Sequence, residues 1–200
     1  MSALVDTWKQ DCERVIELNS VAILHTPKCA GTWLFNLLPG LCDVKERHAV
    51  PHMNLKEARE LTDKPIVAAV RHPETWWPSY WNHRMRHGWQ PHTHIVDTLA
   101  NKSFTAFMRG VNENYPGFFS HYVQGWVGGP EEPVEHTIRY EYLVDDLTEV
   151  LDLYGEEYDV REFNRPRVNC SDYGTHSAIW GDQREATIEN ERLVLQRFYS

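Results

Sequence analysis

Residues 23–38 read ILHTPKCAGTWLFNLL, and the order of residue types in them decides how the rest of the chain is organised. An apolar run, Val21 to His25, is bounded by Asn-Ser before it and Thr-Pro after it, the signature of a short buried strand. A turn with Pro27, Lys28, Gly31 and Thr32 follows, and then an apolar helix that Pro39-Gly40 is expected to stop. This is the rhythm of an anion-binding loop, because a loop closing on a helix N-terminus points backbone N–H groups and the helix dipole at one spot. In the Walker A pattern G-x-x-x-x-G-K-[ST] the lysine follows the second glycine; here Lys28 precedes Gly31. Ala30 and Gly31 leave room for close approach, Thr32 adds a hydroxyl, and Lys28 brings a mobile point charge to the same mouth. Read alone, TPKCAGTW (26–33) serves equally as a strand–turn–helix with a solvated lysine.

The same alternation continues along the chain. NLKEARELT (54–62) reads as a short helix with Asn54 as N-cap. PIVAAVR (65–71) is a second strand, followed by a helix beginning in HPETWWPSYWNHRMRH, with Pro73 and Pro78 expected near its start. Residues 103–111 suggest another helix, HTIRY (136–140) a third strand, EYLVDDLTEVLDLYG an acidic helix, and 183–198 a helical tail. The first 18 residues read as a charged amphipathic helix. Strands alternating with helices predict an α/β fold, a P-loop-like parallel sheet flanked by helices on both faces, in a single domain over residues 1–200. Ligands of such sheets bind beyond the C-terminal ends of strands. Lys28, Arg71 and Tyr140 each sit at such an end.

Composition sets limits on function. The apolar content of 42% and charged content of 24% are those of a globular protein. The net charge of −9 argues against general binding of nucleic acid or an anionic membrane, without excluding a local basic pocket. No run approaches the length of a membrane span, the N-terminus lacks the apolar core of a signal peptide, and the expectation is a cytoplasmic protein. Cys12, Cys29, Cys42 and Cys170 form no C-x-x-C pair, so neither a zinc knuckle nor a disulfide framework is signalled.

A second motif weighs on the first. VAAVRHPETWWPSYW places Arg71 at a strand end and Ser79 eight residues later, in the next helix. An arginine fork binds phosphate bidentately, and a serine hydroxyl near a helix start completes such a cage. A salt-bridged strand terminus for Arg71 and a capping or surface serine for Ser79 are the alternatives for each residue alone; both motifs falling after strands in this order favours the cage.

HTPKCAGTWL together with RHPETWWPSYW resembles the sulfotransferase superfamily that uses 3'-phosphoadenosine 5'-phosphosulfate (PAPS) and releases PAP, nearest its carbohydrate-type branch. The resemblance implies that Lys28, Cys29, Ala30, Gly31, Thr32 and Trp33 hold the 5'-phosphosulfate, with Lys28 at the oxygen bridging phosphorus and sulfur. It implies that Arg71 and Ser79 hold the 3'-phosphate. IRYEYLVDD is similar to the family's RYEDL segment and puts Tyr140 by the nucleotide. The implied reaction moves a sulfuryl group to a hydroxyl or amine of a small-molecule or glycan acceptor, with no metal. The acceptor's base falls in VKERHAVPH: His48 is preferred because imidazole titrates near neutrality, with His52 and Glu46 as alternatives. A small-molecule or nucleotide kinase and a non-catalytic relic of the fold are the rival readings.

Other features carry less. A cysteine phosphatase would need Arg six positions after Cys29, where Phe35 stands. His83 and His87 have helical i,i+4 spacing but no third metal ligand. Trp76, Trp77, Trp81 and Trp89 suit either core packing or an acceptor platform. Arg84, Arg86 and Arg109 offer charge to an anionic acceptor, and Arg165 or Arg167 stands where the cytosolic branch has a different 3'-phosphate motif.

Overall fold

The computed structural model describes residues 15–48, 53–165 and 179–200. It is an α/β protein with a mixed five-stranded sheet flanked by helices, and its chain divides into two compact units, residues 1–70 with 123–170 and residues 71–122 with 171–200.

The first unit holds the sheet: β1 (Val15–Glu17), β2 (Ala22–Leu24), β3 (Glu46–His48), β4 (Ile66–Val70) and β5 (His136–Arg139), in the order β3-β1-β2-β4-β5. β2, β4 and β5 run parallel, with Leu24 opposite Ala68 and Ala68 opposite Thr137. All five residues of β4 are buried, as expected of a strand covered on both faces. The expected all-parallel sheet is corrected by β1, which pairs antiparallel with both β2 and β3. The cause is local. Leu18 N–H donates to the Val21 carbonyl (2.9 Å), making a tight hairpin, and only antiparallel strands join that way. The buried carboxylate of Glu156 fixes this turn by accepting from Asn19 N, Asn19 Nδ2 and Ser20 N. The N-terminal helix expected through residue 18 is likewise corrected at Val15–Glu17, whose backbone is paired on both sides as strand; residues 1–14 lie outside the described residues.

Helix α1 (Gly31–Leu41) runs through Pro39 and Gly40 rather than stopping there. A proline near a helix end removes one N–H bond, while buried Leu37, Leu38 and Leu41 hold the last turn down. At Gly40 the turn Val160–Asn164 comes close, and a Cβ there would meet the end of the Glu162 side chain. Helix α2 (Leu55–Leu61) begins with the full reciprocal capping box of Asn54 and Glu57.

The second unit is helical. It comprises α3 (Pro73–His87), a 3-10 turn Ile95–Leu99, α4 (Phe104–Asn114), the start of α5 (Phe118–Val127), and, after the sheet unit's α6 (Leu143–Leu153), the pair α7 (Arg184–Asn190) and α8 (Arg192–Phe198). Pro73 opens α3 as expected, but Pro78 lies inside it. Fully buried Trp76 and Trp77 hold α3 down: Trp76 stacks on Phe119 at 4.5 Å and Tyr80 at 5.0 Å. These two tryptophans are core and offer no face to an acceptor. The helical tail is broken at Glu191, whose buried carboxylate accepts from Phe119 N, Ser120 N and Ser120 Oγ at the start of α5.

Candidate functional site

In the sheet unit, the chain leaving β2 makes a turn in which Cys29 N–H donates to the Thr26 carbonyl (3.2 Å) before α1 begins. Lys28 (φ 64°) and Ala30 (φ 62°) both take the left-handed conformation, the only non-glycine residues among those described to do so. Each such residue costs about 1–2 kcal/mol, and strain of this kind is typical of loops shaped for a ligand. The side chains alternate: Lys28, Ala30 and Thr32 reach the surface, while Cys29, Gly31 and Trp33 are buried. Cys29 Sγ turns in toward the Pro27 carbonyl and its N–H is taken by the Thr26 carbonyl, so residue 29 shapes the turn.

Ala30 is the N-cap of α1 and supplies no side-chain cap. Beside it, the buried Oγ1 of Thr26 has no hydrogen-bond partner among the described residues. Burying an unsatisfied hydroxyl costs about 1–3 kcal/mol. The imidazole of His25 lies over Gly31, where a Cβ would overlap it. His25, packed on Phe35 at 5.5 Å, is a site-lining residue that its sequence context gave no reason to choose.

His48 ends β3 at the same edge of the sheet. In register, Leu24 lies opposite Val15 and Val15 opposite His48, so His48 stands level with the start of the loop, about 10 Å across two strand spacings. His48 Nε2 is 3.0 Å from Glu17 Oε1, and Lys64 Nζ is 2.9 Å from Glu17 Oε2. Glu46 Oε1 lies 3.8 Å from His48 Nδ1, beyond hydrogen-bond reach. Burial pushes the Glu17 carboxyl up, but the bonds from His48 and Lys64 prevail and hold it below its ordinary range. Glu17, Glu46 and His48 hold ligand atoms within 4.8 Å of one another, the only such group among the described residues. The Lys64 ammonium, which also donates to the Leu18 carbonyl (2.7 Å), already supplies the cation. Glu17 and Lys64 went unrecognised in the sequence because Glu17 sits in a run of charges with helical spacing. His52 lies outside the described residues.

Tyr140 begins the 3-10 turn Tyr140–Tyr142 directly after β5, so it too leaves the C-terminal edge of the parallel strands. The preceding Arg139 clamps Asp146 with Nε and Nη2 at 2.9 and 2.8 Å and lies over the Tyr142 ring at 4.5 Å.

In the helical unit, Arg71 is 5% exposed and its Nε donates to Thr75 Oγ1 (3.0 Å). Thr75 Oγ1 in turn donates to the His72 carbonyl (3.1 Å). Thr75 and Ser79 are four residues apart and therefore share one face of α3. His72 Nδ1 accepts from Glu74 N, and the Glu74 carboxylate is gripped by Arg184 at 2.6 and 2.8 Å, which keeps it occupied. His83 and His87 rings are 4.6 Å apart on the same helix and form no three-ligand group among the described residues. Arg165 pairs with Glu162, and Arg167 lies outside the described residues. The Cys42 thiol is pushed up to about 12 by burial and by Glu156, which makes it inert as a nucleophile.

Compared with protein-family models, curated proteins and solved structures, the chain matches none.

Proposed function

We propose that the protein transfers a sulfuryl group from PAPS to a hydroxyl or amine acceptor, with a carbohydrate among the candidates. The observation that carries this reading is the loop entering α1. Two left-handed residues that are not glycine bend its backbone into a helix start whose N-cap, Ala30, supplies no side-chain bond, four residues after a buried threonine whose hydroxyl has no partner among the described residues. That donor set fits one phosphate-like group carrying a single charge-building oxygen. It lacks the glycine spacing that wraps a triphosphate.

PAPS, when bound, supplies a sulfur joined through oxygen to its 5'-phosphate. The acceptor oxygen or nitrogen bonds to sulfur as that bridging S–O bond breaks, the acceptor proton passes to His48, and PAP leaves. The Lys28 ammonium faces the bridging oxygen as negative charge develops there, and loop amides with the Thr32 hydroxyl hold the 5'-phosphate oxygens. Arg71, with Thr75 and Ser79 beside it on α3, holds the 3'-phosphate, and Tyr140 lies along the nucleoside. Catalysis of this kind is positioning plus charge stabilisation around an in-line displacement.

The test is calorimetry with PAP and with ATP, followed by transfer from labelled PAPS across sugars, lipids, peptides and phenols. PAP binding that Arg71→Ala weakens, with turnover that Lys28→Ala abolishes, supports the reading. Tight ATP binding without PAP binding replaces it with a kinase, and PAP binding without turnover on any acceptor leaves a nucleotide-binding relic.

A further inference from the structure

We propose that Glu17 is a positioning residue for His48: it fixes the imidazole as the tautomer protonated on Nε2 and leaves Nδ1 as the atom that takes a proton. This rests on the sulfuryl-transfer reading for its consequence in turnover, but its physical content stands on four side chains of the sheet unit alone.

The Glu17 carboxylate is 8% exposed and has two oxygens committed in different directions. Oε2 receives the Lys64 ammonium at 2.9 Å, and Oε1 faces His48 Nε2 at 3.0 Å. Lys64 is itself anchored by donating to the Leu18 carbonyl, so it cannot follow His48 if the ring moves. An ionised carboxylate only accepts hydrogen bonds. The ring nitrogen facing it must therefore carry hydrogen whether the imidazole is neutral or charged. In the neutral ring that leaves the lone pair on Nδ1, the other side of the ring.

The backbone locks this geometry. His48 and Glu17 are on adjacent antiparallel strands, with His48 opposite Val15 and Glu46 opposite Glu17, so their side chains share one sheet face and meet diagonally. Glu46 is too far from Nδ1 to hydrogen-bond to it. Glu46 is also exposed, so it does not compete for that nitrogen as a buried partner would. A buried carboxylate on one ring nitrogen, and a second nitrogen with no hydrogen-bond partner among the described residues, is the arrangement that orients a general base and steadies the imidazolium formed when it accepts a proton. The proton balance is simple. Nδ1 gains the acceptor's proton, Nε2 keeps its own, and Glu17 stays ionised throughout.

The experiment is a long-range proton–nitrogen NMR correlation on the full chain with nitrogen-labelled histidine, taken where His48 is neutral and assigned by His48→Gln. The expected spectrum shows hydrogen on Nε2 and a bare Nδ1. A bare Nε2 overturns the proposal. In Glu17→Gln the amide can donate as well as accept, so the His48 signals are expected to shift toward a mixture of both tautomers. An unchanged tautomer in that variant also overturns it. If Glu17→Gln fails to fold, the wild-type spectrum decides alone. For turnover, Glu17→Gln is expected to lower kcat by roughly tenfold or more with KM for PAPS retained. A wild type that binds no PAP sinks the sulfuryl-transfer reading and leaves the tautomer result standing. A wild type that transfers sulfate with His48 in the opposite tautomer sinks the present proposal alone.

Discussion

Lys28 and Ala30 each hold a backbone conformation that a Cβ disfavours, and glycine in either place would relieve it. Ala30→Gly is therefore expected to raise unfolding free energy by about 1 kcal/mol in urea titration, with turnover of PAPS largely kept. Lys28→Gly is expected to stabilise by a similar amount and to abolish turnover, since strain and charge leave together. Destabilisation in both variants would contradict the left-handed geometry. Gly31 behaves in the reverse way. A methyl group there overlaps the His25 ring, so Gly31→Ala is expected to cost about 1–3 kcal/mol. His25→Ala in the same chain should return most of that loss, the coupling expected of two groups in direct contact. Lys28 and Arg71 were legible in the sequence because a charge after an apolar run and before a helix is a local pattern. Glu17, Lys64 and His25 were not, because their roles come from register and from a ring folded over a glycine, neither of which leaves a local mark.

At the level of elements, β2, β4, β5, α2 and α6 follow from apolar runs and caps written within a few residues, and Asn54 with Glu57 forms the box its spacing suggests. β1 and β3 do not. Glu46, Arg47 and His48 carry no apolar residue at all, and they are strand because β1 offers them a free edge. Val15–Glu17 reads as helix until the turn fixed by Glu156 folds it back on β2. Helix α3 is where element and proposed chemistry meet. Its first turn holds Arg71 against Thr75, with Ser79 one turn further along the same face. Arg71→Lys keeps charge but loses the planar fork, and is expected to weaken PAP binding roughly 10- to 100-fold by calorimetry, from the loss of charge-assisted bonds of about 1.5–3 kcal/mol. Ser79→Ala should give a smaller loss. Equal PAP affinity in wild type and Arg71→Lys would remove the arginine from the 3'-phosphate. Further along α3, Tyr80 and Arg84 converge on fully buried Asp97 at 2.5 and 2.9 Å, with Gln90 N–H added at 2.7 Å. That network pins the segment after the helix and pushes the Tyr80 hydroxyl well up by burial and by the Asp97 carboxylate, so Tyr80 is structural and not a proton donor.

Over the whole chain, each unit carries a buried or half-buried carboxylate with a partner set of its own, and the two respond to pH with opposite signs. In the sheet unit, burial pushes Asp146 up, but the bonds from the Arg139 side chain and backbone prevail and hold it below its ordinary 3.8. Its contribution to stability is present above 3.8 and lost as pH falls through the lowered folded value. In the helical unit, burial raises Glu191 above its ordinary 4.5 despite bonds from Ser120 and Phe119 and the nearby Trp77 indole. The folded state then binds more protons than the unfolded one, so stability falls as pH rises from 4.5 through the raised value. Substitution separates the two. Asp146→Asn is expected to destabilise most near neutrality, with the difference from wild type shrinking as pH drops toward and below 3.8. For Glu191→Gln the loss of paired hydrogen bonds is present at every pH, so the informative quantity is slope. The variant should gain on wild type as pH climbs from 4.5 toward neutrality, since only wild type then ionises a carboxyl in an apolar site. Urea titrations across that range measure both differences. A Glu191→Gln difference that is flat, or that falls as pH rises, would show that the three donors at the start of α5 outweigh burial and that Glu191 is ionised at no cost to the fold.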